Sequence, residues 1–198
     1  MQSGSDLFPM QDQTARFFGY GSLVNRATHD YPDARRASLH GWHRVWVHVA
    51  DRPVAFLSVE AAPGSQILGL VAKVPGADWA ALDAREHAYR RHPVVARTEG
   101  AELAAQVYAV PVRDGLEPRR EFPLILSYID TVVQGFLREF GESGAEHFFQ
   151  TTAGWTAPIR DDRKTPSYPR AQALTPAERR IVDRGLLSVG ARIIGPDQ

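Results

Sequence analysis

The sequence predicts an α+β fold: a small curled sheet or barrel covered by helices. Three observations lead there. Strand-like segments fill the first half of the chain, and the clearest of them alternates with period two. From Phe122 onward the apolar residues fall at helical spacing instead. The two patterns are segregated, and neither an internal repeat nor a low-complexity linker interrupts them.

Residues 1–14 are polar and are expected to be loose, with 15–198 forming one domain whose helical extension starts at about residue 120. Arg16–Tyr20 reads as the first strand. Asn25–Arg36 is loop-like, with Tyr31-Pro32-Asp33 as a turn signal. Trp42–Ala50 alternates: Val45, Val47 and Val49 face one way, and Trp42, Arg44, Trp46 and His48 the other. Asp51-Arg52-Pro53 connects it to Val54–Glu60 in an expected hairpin. Gln66–Val74 reads as a third strand, set off by Pro63-Gly64-Ser65. After Pro75-Gly76 a helix is expected over Asp78–Arg91, with Asp78 as its N-cap. Val94–Thr98 and Gln106–Val112 return to strand character.

In the second half, Phe122–Phe140 carries Ile125, Tyr128, Val132, Phe136 and Phe140 on one helical stripe. Glu142–Thr151 reads as a shorter helix. Thr152–Gln172 is irregular, broken by Pro158, Pro166 and Pro169. Thr175-Pro176-Ala177-Glu178 is a capping box with proline at the first helical position, opening a last helix to about Ile194.

Composition narrows the function. The chain has 198 residues, 43% hydrophobic and 23% charged, enough for one sizeable core. Its formal net charge is zero, so no global basic field draws it to nucleic acid or anionic lipid. It has no cysteine, which removes thiolate nucleophiles, disulfides and Cys-based metal sites. Neither a signal-peptide pattern nor an apolar run of membrane-spanning length is present, and a cytoplasmic location is the expectation.

Two features carry chemistry. Tyr20-Gly21-Ser22-Leu23 ends the first strand, and its glycines leave backbone N–H groups uncovered, as in an anion-binding nest. Downstream, Trp79, Leu82, Glu86 and Tyr89 are spaced to share one helix face, which sets a carboxylate among apolar neighbours. Burial raises a carboxyl pKa and suits it to proton transfer near neutrality. Glu86 is equally compatible with an ordinary ion pair to Arg85, Arg90 or Arg91. His87 lies about 100° around the helix, toward solvent.

The ordered set of Tyr20-Gly21-Ser22-Leu23, then Gly69-Leu70-Val71 in a strand, then Leu82-Asp83-Ala84-Arg85-Glu86-His87-Ala88-Tyr89 resembles the γ-glutamylcyclotransferase superfamily. That group includes the glutathione-acting ChaC-type enzymes and the γ-glutamylamine cyclotransferases. The resemblance covers about residues 16–112. It implies a mixed β-barrel with flanking helices, and cleavage of a small γ-glutamyl amide to 5-oxoproline and a free amine or amino acid. It also implies that Tyr20, Gly21, Ser22, Leu23 and Tyr89 bind substrate, that Glu86 is the acid/base, and that no metal or organic cofactor takes part. Val24-Asn25 and His87 depart from the common pattern, and the helical half contributes no motif.

The same residues support other readings. Ser22 as a hydrolase nucleophile lacks the Gly-x-Ser-x-Gly elbow and a His/Asp pair. Of His40, His43 and His48, only His40 and His48 share a strand parity, and they lie far apart, which argues against a metal site. Trp42 and Trp46 share a face as core or as pocket lining. Arg90 or Arg91 is a candidate reader of a leaving-group carboxylate. A non-catalytic module of the same fold, binding a γ-glutamyl metabolite or a protein, is the alternative to an enzyme.

Overall fold

A computed structural model describes residues 14–49, 52–111, 115–116 and 122–195. The segment expected to be loose falls outside these apart from Thr14, as do Ala50, Asp51 and Val112.

Five strands close into a mixed barrel: β1 (Arg16–Gly19), β2 (Arg35–Val49), β3 (Phe56–Lys73), β4 (Arg90–Thr98) and β5 (Ala101–Ala109). Around the barrel the order is β3-β1-β5-β4-β2, and β2 pairs again with β3. Only β1–β5 is parallel among these contacts; the others are antiparallel. Closure leaves these strands without free edges.

The expected hairpin is present, but what reads as two strands after it is a single long one. Pro63-Gly64-Ser65 lies within β3 and does not end it. Strand β2 likewise starts seven residues before Trp42, inside the segment read as loop. A register shift between His40 and Trp42 breaks the ladder. Before it Ala37 and Leu39 are buried; after it Arg44, Trp46 and His48 are. The bulge therefore reverses side-chain parity, as an extra strand residue must. His40 is exposed while His48 is buried, so the two do not share a face. Trp46 is buried among Tyr128 and Trp155, whereas Trp42 is only partly buried, near His92.

The helix expected over Asp78–Arg91 is far shorter: α1 spans Ala80–Arg85, preceded by a 3-10 turn at Pro75–Ala77. Its N-cap is Trp79, not Asp78, although the Asp78 side chain accepts a hydrogen bond from the Ala80 N–H at 3.0 Å. Beyond the barrel, α2 (Leu126–Gln150) breaks at Gly141, whose φ is 72°. That break separates the two helices expected there. The capping box is formed as read, and α3 covers Pro176–Ser188, with Ile193–Ile194 in a short strand instead of its last turn.

Helix α2 plugs the open side of the barrel. Val132, Phe136 and Phe148 are fully buried and join Leu39, Ile67 and Leu70 in one continuous core. Burying such side chains is worth roughly 1.5–3 kcal/mol each. A smaller cluster under α1 gathers Phe17, Leu23, Ala72, Leu82 and Tyr108, and Trp79 and Tyr89 pack against it. No helix of the described residues is long and apolar enough to cross a membrane.

Candidate active site

Strand β1 delivers Tyr20 to the mouth of the barrel, where the chain turns through a 3-10 segment at Ser22–Val24. The turn is held from three sides. The Val24 and Asn25 N–H groups donate to the carbonyls of Gly21 and Ser22, at 2.9 and 3.1 Å. Asn25, almost fully buried, donates from its side chain to Thr131 O and Gln134 Oε1 on α2. Beneath it, the Arg44 Nε donates to the Tyr20 carbonyl at 2.8 Å.

The sequence pattern places Arg44 on a strand face but gives it no role. Its side chain is fully buried, yet no carboxylate pairs with it among the described residues. It donates to Tyr20 O, Thr151 Oγ1 and Leu68 O, and lies over the rings of Phe136 and Phe148. Burial pulls its pKa down to about 9, which leaves it charged at neutral pH. Three acceptors and two aromatic faces take the place of a counterion.

Close approach explains the glycines of the resemblance. A Cβ on Gly21 would come within 2.6 Å of the Tyr128 hydroxyl, and one on Gly69 within 2.3 Å of the Gly19 carbonyl. The first fixes the floor of the site. The second lets β3 pass tightly under the turn.

Glu86 caps the C-terminal end of α1 (φ −102°, ψ 33°) and does not lie within a longer helix. Its side chain is 17% exposed and ion-paired with Arg85 Nε at 3.2 Å. Arg85 also donates to Thr28 O, Thr28 Oγ1 and Ser22 Oγ, which ties the end of α1 to the turn. Burial raises the Glu86 carboxyl above its ordinary value, and the attraction of Arg85 and Arg170 only partly offsets this. The ordinary ion pair and the perturbed carboxyl are thus both present.

The two sequence features meet. Gly19, Tyr20, Gly21, Ser22, Leu23, Glu86 and Tyr89 line one recess of about 30 Å³, together with Leu57, Tyr108 and Tyr128. Among the described residues no backbone carbonyl accepts from the N–H of Gly21, Ser22 or Leu23. Tyr20 and Tyr89 are oriented by hydrogen bonds, Tyr20 to Tyr108 O at 2.7 Å and Tyr89 to Leu57 O at 2.9 Å. Burial holds both phenols well above their ordinary pKa, so they remain neutral donors.

A wider cleft of about 320 Å³ opens from this recess. It shares Ser22, Glu86, Tyr89 and Tyr128 and adds Phe56, Ile125, Tyr168 and Arg170. Tyr128 belongs to the helical half, where the sequence places it on a core stripe. Burial raises its phenol well above the ordinary range, against a hydrogen bond from the Ser22 backbone. Arg90 and Arg91, the cations the sequence suggested for a leaving group, line neither cavity. Arg91 is engaged instead with Asp83 at 3.2 Å and with the Trp79 ring. No group of His, Cys, Asp and Glu fit to hold a metal ion occurs among the described residues.

The model of the family described as "Gamma-glutamyl cyclotransferase, AIG2-like" matches residues 17–127, more than half of the chain. The protein belongs to that family. Among solved structures, one described as a γ-glutamyl cyclotransferase aligns at a TM-score of 0.55 and 16% identity, over 87% of this chain and 99% of its own. An uncharacterized protein from Homo sapiens aligns at a TM-score of 0.54 and 16% identity, over 85% and 97%. YkqA from Bacillus subtilis aligns at 0.54 and 19%, over 72% of this chain and 56% of its own. These likenesses establish the shared fold. No curated protein matches the chain.

Proposed function

We propose that the protein is a γ-glutamyl cyclotransferase, with Glu86 as the proton carrier and the Tyr20–Leu23 turn as the cradle of the γ-glutamyl group. One observation carries the reading: a buried carboxyl of raised pKa lines the same recess as a turn whose Gly21 and Leu23 N–H groups meet no backbone carbonyl among the described residues and whose Ser22 N–H meets the Tyr128 phenol. Family membership supports it independently.

The chemistry follows from the substrate. The nucleophile is the α-amine of the γ-glutamyl group itself, so no protein nucleophile is required. As that nitrogen bonds to the γ-carbonyl carbon, a five-membered ring closes and the bond to the leaving nitrogen breaks. Holding the folded conformer supplies a proximity advantage of up to roughly 7–11 kcal/mol in well-oriented systems. An α-ammonium has a pKa near ~8 and does not attack until it is deprotonated. The Glu86 carboxylate takes its proton and returns one to the departing amine. Water is neither consumed nor released.

In this reading the N–H groups of Gly21 and Leu23 donate to the substrate's carboxylate or to the oxyanion of the tetrahedral intermediate, with the Ser22 N–H and the Tyr128 phenol as a linked pair beside them. Arg85 keeps Glu86 in place against the turn. Incubation with a panel of γ-glutamyl amino acids and γ-glutamylamines, read by mass spectrometry, tests the proposal. It requires 5-oxoproline from at least one member. Binding without turnover across the whole panel would instead favour a metabolite-binding module.

A further inference from the structure

The outer cleft has a chemical bias. Its lining includes two arginines, Arg85 and Arg170, and Glu86 is the only carboxylate among the described residues there. Arg85 is committed: it holds Glu86, Ser22 and Thr28 and is 8% exposed. Arg170 is different. It is exposed, lines the cleft, and makes no ion pair among the described residues.

The segment that carries Arg170 is anchored. Asp162 is buried and accepts from Ser127 N at 2.7 Å, Ser127 Oγ at 2.6 Å and Ser167 N at 2.7 Å. Tyr168 packs edge-on against Tyr128 at 5.0 Å between ring centroids. The neighbouring Arg163 is clamped to Asp130 and Asp183. Residues 161–170 thus form a strap fastened to α2, which presents a free guanidinium at the cleft rim. The same cleft is also lined by the apolar side chains of Phe56 and Ile125.

We infer that Arg170 is a specificity-determining residue that binds the α-carboxylate of an amino-acid leaving group, so that the enzyme prefers γ-glutamyl amino acids to γ-glutamylamines. This deepens the proposed function and rests on it. A guanidinium matches a carboxylate in a two-point contact, and the apolar lining accepts the leaving group's side chain. A polyamine leaving group would carry extra positive charge into a wall that is already cationic. Arg170 and Glu86 line the same cleft, as a substrate spanning them requires.

The test uses γ-glutamylalanine and γ-glutamylethylamine, which differ only by the carboxylate. The expectation is a kcat/KM for γ-glutamylalanine at least about tenfold higher, corresponding to ~1.4 kcal/mol. Arg170→Ala removes that preference by lowering kcat/KM for γ-glutamylalanine, leaves γ-glutamylethylamine within about twofold, and Arg170→Lys recovers part of the loss. Conversion of both substrates at similar kcat/KM, or an Arg170→Ala effect equal on the two, overturns the inference while leaving the cyclotransferase reading intact. Absence of 5-oxoproline from both substrates with the wild-type protein overturns that reading, and this inference with it.

Discussion

A group that must take a proton and then return it works best when its affinity for protons lies near the working pH. Glu86 is moved toward that condition because most of its side chain is out of water, and Arg85 acts in the opposite direction by favouring the carboxylate. Only its carboxylate can accept a proton from the substrate. The profile of kcat/KM against pH should therefore rise on its acid side with a midpoint above 4.5, the ordinary value for glutamate. Glu86→Gln should remain folded by circular dichroism, lose at least ~10²-fold in turnover, and lose that acid limb. The same shift acts on stability in a defined direction. The native state holds the Glu86 proton more tightly than the unfolded chain does. Its stabilising contribution is full below about 4.5 and is lost as pH rises through the raised native value. The glutamine variant should lack that part of the pH dependence in denaturant titrations.

At the scale of elements, the turn that follows β1 and packs against α2 depends on a buried cation. Arg44→Met retains much of the apolar stem but leaves the carbonyls of Tyr20 and Leu68 without their guanidinium donor. An unsatisfied buried acceptor costs roughly 1–3 kcal/mol, so unfolding should become easier by about 2–4 kcal/mol. Arg44→Lys should not recover the full loss, because an ammonium cannot match the planar fork. A denaturant midpoint unchanged in Arg44→Met would contradict this role. The sequence could not assign it. An arginine that alternates with tryptophans on a strand reads as the polar member of a face. The bulge at Gly41–Trp42 then reverses which parity points inward. The same bulge removes the shared face of His40 and His48. The truncation of α1 has a comparable origin. The stripe Trp79, Leu82, Glu86 and Tyr89 holds as a set of neighbours, but β4 begins at Arg90 and takes the chain into the sheet. Glu86 thereby gains its place at a helix end beside the turn.

Across the whole molecule, the site lies where the barrel meets the helical half. The barrel's contribution was legible in the chain: the Tyr20–Leu23 turn and Glu86 come from segments with strong local signals. The contribution of the helical half was not. Tyr128 fits a core stripe by spacing, and only the tertiary placement of α2 against the turn brings its hydroxyl over Gly21. Arg170 sits in an irregular, proline-rich stretch whose shape depends on Asp162 reaching Ser127, a contact across 35 residues of sequence. Such long-range hydrogen bonds leave no periodicity to read. Under the proposed function this division has a consequence: the proton carrier and the turn come from the barrel segments, and Tyr128 and Arg170 of the helical half line the adjoining cleft.

The central claim is that the substrate's own amine, not water, attacks the γ-carbonyl while Glu86 carries the proton. Turnover of a γ-glutamyl amino acid in water labelled with heavy oxygen tests it most directly. The account predicts 5-oxoproline free of the label as the first product, and its near-complete loss in Glu86→Gln. Free glutamate carrying heavy oxygen in its γ-carboxylate, formed without a 5-oxoproline intermediate, would contradict it.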